Sequence, residues 1–273
     1  MHAPDRQLLE TNRKQAAFYD SFHTDEEFNL PSRSWRRLRD RVRSVANVDD
    51  RADLFEREVF ETIKPKRLLE VGCYAGREQT DWLLASPWLE RYVGIELSGA
   101  AIERFRQRLT ADAAAKAELI VGDFIEQDLP PASFDAVYMH SVFHHFPDPA
   151  MAIRRIKHLL APGGSFITFD PIVTNALFRT VRGMYRPFQS DREWEWPLRQ
   201  AAFEALGEEL EPCRVQGYFG MEMYAAILYT MLPLKPMAAL KERARAIDVE
   251  AAARIGRGLY RCNLVAMWWR KPA

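Results

Sequence analysis

Cysteine is scarce in this chain. Its 273 residues include three, Cys73, Cys213 and Cys262, an odd and scattered set with no Cys-x-x-Cys pair and no Cys/His metal spacing. A disulfide framework and structural zinc are therefore not expected, and no metal site is assigned. Net charge is also missing, because 38 Lys and Arg balance 38 Asp and Glu. That balance argues against a basic nucleic-acid binder or an acidic tail. There is no long apolar run. The longest, "YAAILYTML" from Tyr224 to Leu232, is well short of the roughly 20 residues that span a bilayer. The start, "MHAPDRQLLETNRK", is charged where a signal peptide is apolar. No repeat or low-complexity linker stands out. The expectation is a cytoplasmic protein in a reducing setting, with no nucleic-acid partner.

What is present is an alternation. "RLLEVG", "RYVGIEL", "AELIVGD", "FDAVYMH" and "GSFITFD" are short runs rich in Val, Ile and Leu, the pattern of buried strands. Between them "REQTDWLLA", "AAIERFRQRLT" and "MAIRRIKHLL" have helical spacing, and "APGG" reads as a helix stop. Strand and helix in alternation predict βαβ units and a doubly wound, mainly parallel α/β sheet. Residues 1–66 read as a helical cap segment. Within it "SWRRLRDRVRSV" places Trp35, Leu38, Val42 and Val45 on one stripe and arginines elsewhere. Residues 67–220 read as the core, with a late strand at "EPCRVQGYF". Residues 221–257 read as an apolar helical insertion, and 258–273 bring the final strand, "CNLVAMWWR".

In such sheets ligands bind beyond the carboxyl ends of the strands, where glycine lets the backbone approach and a helix N-terminus adds positive charge. Gly72 and Gly76 in "LLEVGCYAGREQT" suit that task. The turn lacks the G-x-G-x-x-G of nicotinamide sites, which weighs against an oxidoreductase. Glu70 precedes the turn. Glu96 ends the second strand, where a carboxylate accepts ribose hydroxyls, and Asp123 ends the third, where one can accept from an adenine amino group.

The motifs "LLEVGCYAG", "VGIELS", "VGDF", "FDAVYMHSVFHHFPDP" and "LLAPGGSF", in this order and spacing, resemble the class I S-adenosylmethionine-dependent methyltransferases, including ubiquinone-biosynthesis-like and other small-molecule enzymes. The resemblance covers about residues 65–170. It implies a seven-stranded Rossmann-like sheet with an antiparallel final strand and S-adenosylmethionine as cofactor. Gly72 and Gly76 would pass under its methionine part, with Cys73 and Tyr74 in the same turn, and Glu70 would help hold its amino group. Glu96 would bind the ribose and Leu97 pack on adenine. Asp123 would hold the adenine amino group beside Phe124. Met139 and His140 would line the site near the sulfonium. Tyr74 replaces the family's middle glycine. Tyr19, in "AAFYD", either closes over the cofactor or staples two helices.

Methyl transfer to a hydroxyl needs a proton acceptor, and histidine suits that at neutral pH. In the family's strand order, His144, after the fourth strand, lies near Asp170, which ends the fifth. His144 is the expected general base and Asp170 its orienter, with His145 the structural member of the pair. N- or C-methylation by positioning alone, and a cofactor-binding partner protein without catalysis, remain the alternatives. The acceptor is expected to be a small molecule, with an apolar or lipid-like one open. Residues 221–257 are expected to act as a substrate lid. The arginines are read as a solvated face in preference to a membrane contact.

Overall fold

Val, Ile and Leu runs become strands because both faces of a central parallel strand are buried. In the computed structural model, which describes residues 6–21, 30–188 and 192–273, these runs form β1 (Arg67–Val71), β2 (Arg91–Glu96), β3 (Ala117–Val121), β4 (Phe134–His140) and β5 (Leu160–Pro171). The late strands are β6 (Glu211–Tyr218) and β7 (Leu264–Arg270). The sheet order is β3-β2-β1-β4-β5-β7-β6. The first five strands pair in parallel, and β7 lies antiparallel between β5 and β6. This is the expected doubly wound sheet with its antiparallel final strand.

Side-chain alternation along each strand divides the core in two. Leu69, Val93, Val137 and Phe166 pack on one face under α7 (Pro149–Leu159) and α9 (Gln200–Glu209). Leu68, Tyr92, Ala136 and Ile167 pack on the other, under α3 (Val48–Ile63), α4 (Glu78–Ala85) and α5 (Gly99–Arg108). The short α6 (Ala111–Lys116) leads into β3.

The cap segment contains α1 (Arg6–Ser21), α2 (Leu30–Ala46) and α3; residues 1–5 and 22–29 of it lie outside the described residues. On α2, Val42 is buried while Leu38 is exposed, so the stripe seats only its C-terminal end; the side chain of Trp35 lies outside those described. The insertion is a helix pair, α10 (Met221–Met231) and α11 (Lys235–Ala251). Asp248 of α11 accepts from the backbone N–H groups of Gly220, Met221 and Glu222 at 2.8–3.0 Å, a carboxylate satisfying the free donors of a helix start. Glu222, itself buried, pairs with Arg51 of α3 at 2.7 Å.

As expected of a stop, α7 ends at Leu159, just before "APGG"; those four residues already belong to β5, whose pairing with β4 slips between Phe134 and Ala136. Beyond β5 the chain forms α8 (Ala176–Tyr185). Among the described residues no helix is long and apolar enough to cross a membrane.

Candidate active site

A cleft of about 330 Å³ opens at the carboxyl ends of β1, β2, β3 and β4, within the size range of small-molecule sites. Its floor is the turn after β1. Gly72 has φ +70°, and a Cβ there would lie 2.3 Å from Cγ2 of Val142, so only glycine fits. Tyr74 takes a left-handed conformation, φ 49°, which residues other than glycine rarely adopt. Its ring turns to the rim, edge-on to Tyr19 with centroids 6.3 Å apart and beneath the Arg104 guanidinium at 5.6 Å. Ser141, another lining residue, also has positive φ, 56°. Backbone held this way by its surroundings clusters at functional sites.

Glu96 is held by the backbone N–H groups of Ser98 at 2.9 Å and Tyr74 at 3.1 Å. Burial raises its pKa, and these bonds oppose the rise. Asp123 accepts from the backbone N–H of Ile125 at 2.9 Å and from Asn12 Nδ2 of α1 at 2.5 Å. Helix α1 is the roof. Its Asp20 accepts from the Ser98 hydroxyl at 2.6 Å and the Ala100 N–H at 3.2 Å at the start of α5. Asn12, Gln15 and Tyr19 line the cleft from above.

Three imidazoles gather at the β4 end. His140 lines the cleft, and its Nδ1 lies 2.8 Å from the buried carboxylate of Glu56 on α3. The other oxygen of Glu56 accepts from the Tyr138 hydroxyl at 2.6 Å, and Arg77 joins Tyr138, at 3.0 Å, to Asp53, at 2.7 Å. Asp53, Glu56 and His140 have the spacing of a metal-ligand group, but Arg77 and Tyr138 already engage both carboxylates. His144 lies 2.7 Å, through Nδ1, from Asp170 Oδ1, which also accepts its backbone N–H at 3.1 Å. His145 stacks on His144 with centroids 4.1 Å apart. Its Nδ1–H donates to the Trp194 carbonyl at 2.5 Å, which leaves Nε2 as the acceptor, 3.5 Å from the Tyr19 hydroxyl. Burial and the neighbouring His144 push its pKa down to about 3.

Of the residues picked from sequence, Tyr19, Gly72, Tyr74, Glu96, Leu97, Asp123, Phe124 and His140 line the cleft. Glu70, Cys73, Gly76 and Met139 are not among its lining residues. Glu70 shares the side of β1 that carries Leu68 and is bonded instead to the Tyr92 hydroxyl at 2.9 Å and the Thr80 hydroxyl at 3.1 Å. Cys73 is buried, with Sγ crowding Gly94. Gly76 serves the close approach of Phe105, and Met139 packs with Val137. His145, expected to be the structural histidine, lines the cleft, whereas His144 is not among the lining residues. No residue of 221–257 lines it either. Sequence reasoning missed Asn12, Gln15, Arg77 and Glu56. Glu56 left a signal: it sits on the apolar stripe of α3 formed by Ala52, Phe55, Val59 and Phe60, where an acid needs a buried partner.

A protein-family profile described as a methyltransferase domain matches residues 69–168. The chain is 33% identical over 105 residues to the 27-O-demethylrifamycin SV methyltransferase of Amycolatopsis mediterranei, covering 38% of each protein. It is 32% identical over 151 residues to an uncharacterised methyltransferase of Mycobacterium bovis, covering 52% of this chain and 72% of that one. The crystal structure of the cyclase SpnF superposes with a TM-score of 0.53 at 20% identity over 81% of this chain and 82% of that one. The matches span well under half the length of the first curated relatives.

Proposed function

The chain belongs to the class I S-adenosylmethionine-dependent methyltransferases, with S-adenosylmethionine as cofactor, and from that premise we propose that it methylates a small molecule at oxygen. The supporting observation is the pair of carboxylates, Glu96 and Asp123, at the ends of adjacent strands in one cleft over a glycine floor. The donor set fits the cofactor. Glu96 uses lone pairs on backbone N–H groups and keeps others for ribose hydroxyls. Asp123 already binds one amide NH₂, that of Asn12, and an adenine amino group presents the same chemistry. The cofactor supplies an electrophilic methyl group on a positively charged sulfur.

The protein's share is to align the acceptor, exclude water and receive a proton. Tyr19, Gln15 and Asn12 roof the cleft against solvent. In this reading His144 receives the acceptor's proton on Nε2. Asp170 fixes the other nitrogen as the donor and stabilises the imidazolium that forms. Acceptor approach to His144 then passes beside His145. A second reading assigns the proton to the His140–Glu56 pair, because His140 faces the cleft directly. A hydroxyl-bearing small molecule, the kind of acceptor implied by the name of the 27-O-demethylrifamycin SV enzyme, is an appropriate first one to screen.

Calorimetric titration with S-adenosylmethionine, S-adenosylhomocysteine and NADH is the first test, with Glu96→Ala as control. Micromolar binding of the two sulfur nucleosides, lost in the control, is expected; binding of NADH alone refutes the cofactor reading. With an acceptor in hand, Asp170→Asn should lower turnover about 100-fold or more while cofactor affinity holds. Loss in Glu56→Gln but not in Asp170→Asn moves the base to His140.

A further inference from the structure

We propose that the exposed face of α10 and the turn that follows it dock on an anionic lipid bilayer surface. Met221, Tyr224, Leu228 and Met231 recur at steps of three and four and so run along one side of α10. All four are exposed, from 43% at Leu228 to 71% at Met231. Glu222, Ala225 and Ala226 bury the opposite side. The stripe continues into the turn, where Leu232 and Leu234 are more than half exposed. Isolated exposed apolar residues are ordinary, but a continuous exposed run of this kind marks a contact surface.

Its surroundings say which contact. Helix α2 packs along α10 and carries six arginines against one aspartate, on a chain whose total charge is zero. Arg37 and Arg41, one helical turn apart, are both exposed, and among the described residues neither has a hydrogen-bond or ion-pair partner. Lys235, likewise exposed, follows the apolar turn. An apolar stripe flanked by cations suits the bilayer interface, with the stripe in the acyl boundary and the cations on lipid phosphates. A second copy of the chain fits less well. A two-fold contact sets each patch against itself, bringing the arginines of one α2 towards those of the other. The face is also preformed. Asp248 and the Arg51–Glu222 pair fix α10 in place, so docking needs no prior refolding.

The test is co-sedimentation of the full chain with phosphatidylcholine vesicles, with and without phosphatidylglycerol. Binding is expected with the anionic vesicles and little without them. Since each cation near such a surface contributes about a five-fold change in partitioning, Arg37→Glu with Arg41→Glu should weaken binding by about 20-fold or more. Met231→Ser with Leu234→Ser should weaken it at unchanged charge. Thermal melts establish that both variants fold. No binding to anionic vesicles, or equal binding by wild type and both variants, overturns the proposal. So does a dimer in light scattering that Met231→Ser with Leu234→Ser converts to monomer, which assigns the face to a second copy.

Discussion

Glu70→Gln separates a buried structural acid from a cofactor ligand. The Glu70 carboxyl is fully enclosed, and its pKa rises from the ordinary 4.5 to about 7, chiefly through burial, against the opposing effects of the Tyr92 hydroxyl, Arg77 and Thr80. A group with a raised folded pKa gives up stability as pH rises, because between the two values the unfolded chain sheds its proton first. Over about two and a half pH units at about 1.4 kcal/mol each, the loss somewhat exceeds 3 kcal/mol by about pH 8. Glutamine, close in shape to the protonated acid, has nothing to lose. The stability difference between Glu70→Gln and wild type should therefore climb by about 3 kcal/mol from about pH 4.5 to about pH 8 and stay level outside that window. His145 acts in the opposite direction. Its pKa falls from 6.5 to about 3 on folding, so stability falls as pH drops through that interval. In wild type the two slopes offset each other between about pH 4.5 and 6.5, and Glu70→Gln should uncover the histidine's rise. Urea unfolding followed by tryptophan fluorescence at a series of pH values measures the difference. Parallel pH curves for wild type and variant would refute the reasoning, since they require a solvated Glu70 with an ordinary pKa.

Gly72→Ala should cost about 1–3 kcal/mol through its left-handed backbone and the Val142 clash, and should weaken S-adenosylhomocysteine binding at least ~10-fold; a thermal melt and a titration near wild type would count against the floor assignment. Asn12→Asp sets a second carboxylate against Asp123, a repulsion of about 1–4 kcal/mol, so α1 should lift and trypsin should cleave at Arg13 or Lys14 at least ~10-fold faster. Unchanged cleavage would mean that the Asn12 contact does not hold the roof down.

The sheet was legible because its strands carry the sign of their environment. β4 spans Phe134–His140, the same seven residues as "FDAVYMH", and β1 and β2 end within a residue of their runs. The acids were harder, because a motif gives position along a strand and the pleat decides the face. Glu70 comes one residue before the end of β1, still within the alternation, and follows Leu68 towards α4. Met139 follows Val137 into the opposite layer. Glu96, the last residue of β2, reaches the cleft because the backbone amides beyond the strand turn back to hold it. The choice between His144 and His145 depends on one short 3-10 turn, Phe143–His145, whose direction no periodicity encodes. The roof was half visible: "AAFYD" marked Tyr19, but nothing local pairs Asn12 with a carboxylate 111 positions away.

The three imidazoles differ less in their nitrogens than in what anchors them. Each has Nδ1 against an acceptor, so each presents Nε2 to its surroundings. The anchor of His145 is a neutral carbonyl, which fixes the ring but does little to favour a proton on it, in keeping with its depressed pKa. His145 therefore suits accepting a hydrogen bond from Tyr19 and shaping the cleft wall. The anchors of His140 and His144 are buried carboxylates, and a carboxylate stabilises the imidazolium that proton transfer creates. For the O-methylation proposed above, those two pairs are the candidates to receive the acceptor's proton. Replacing the anchors, Glu56→Gln and Asp170→Asn, discriminates between them better than replacing the rings. Glutamine and asparagine nearly preserve the shape of the anchor while removing the charge that stabilises a protonated imidazole.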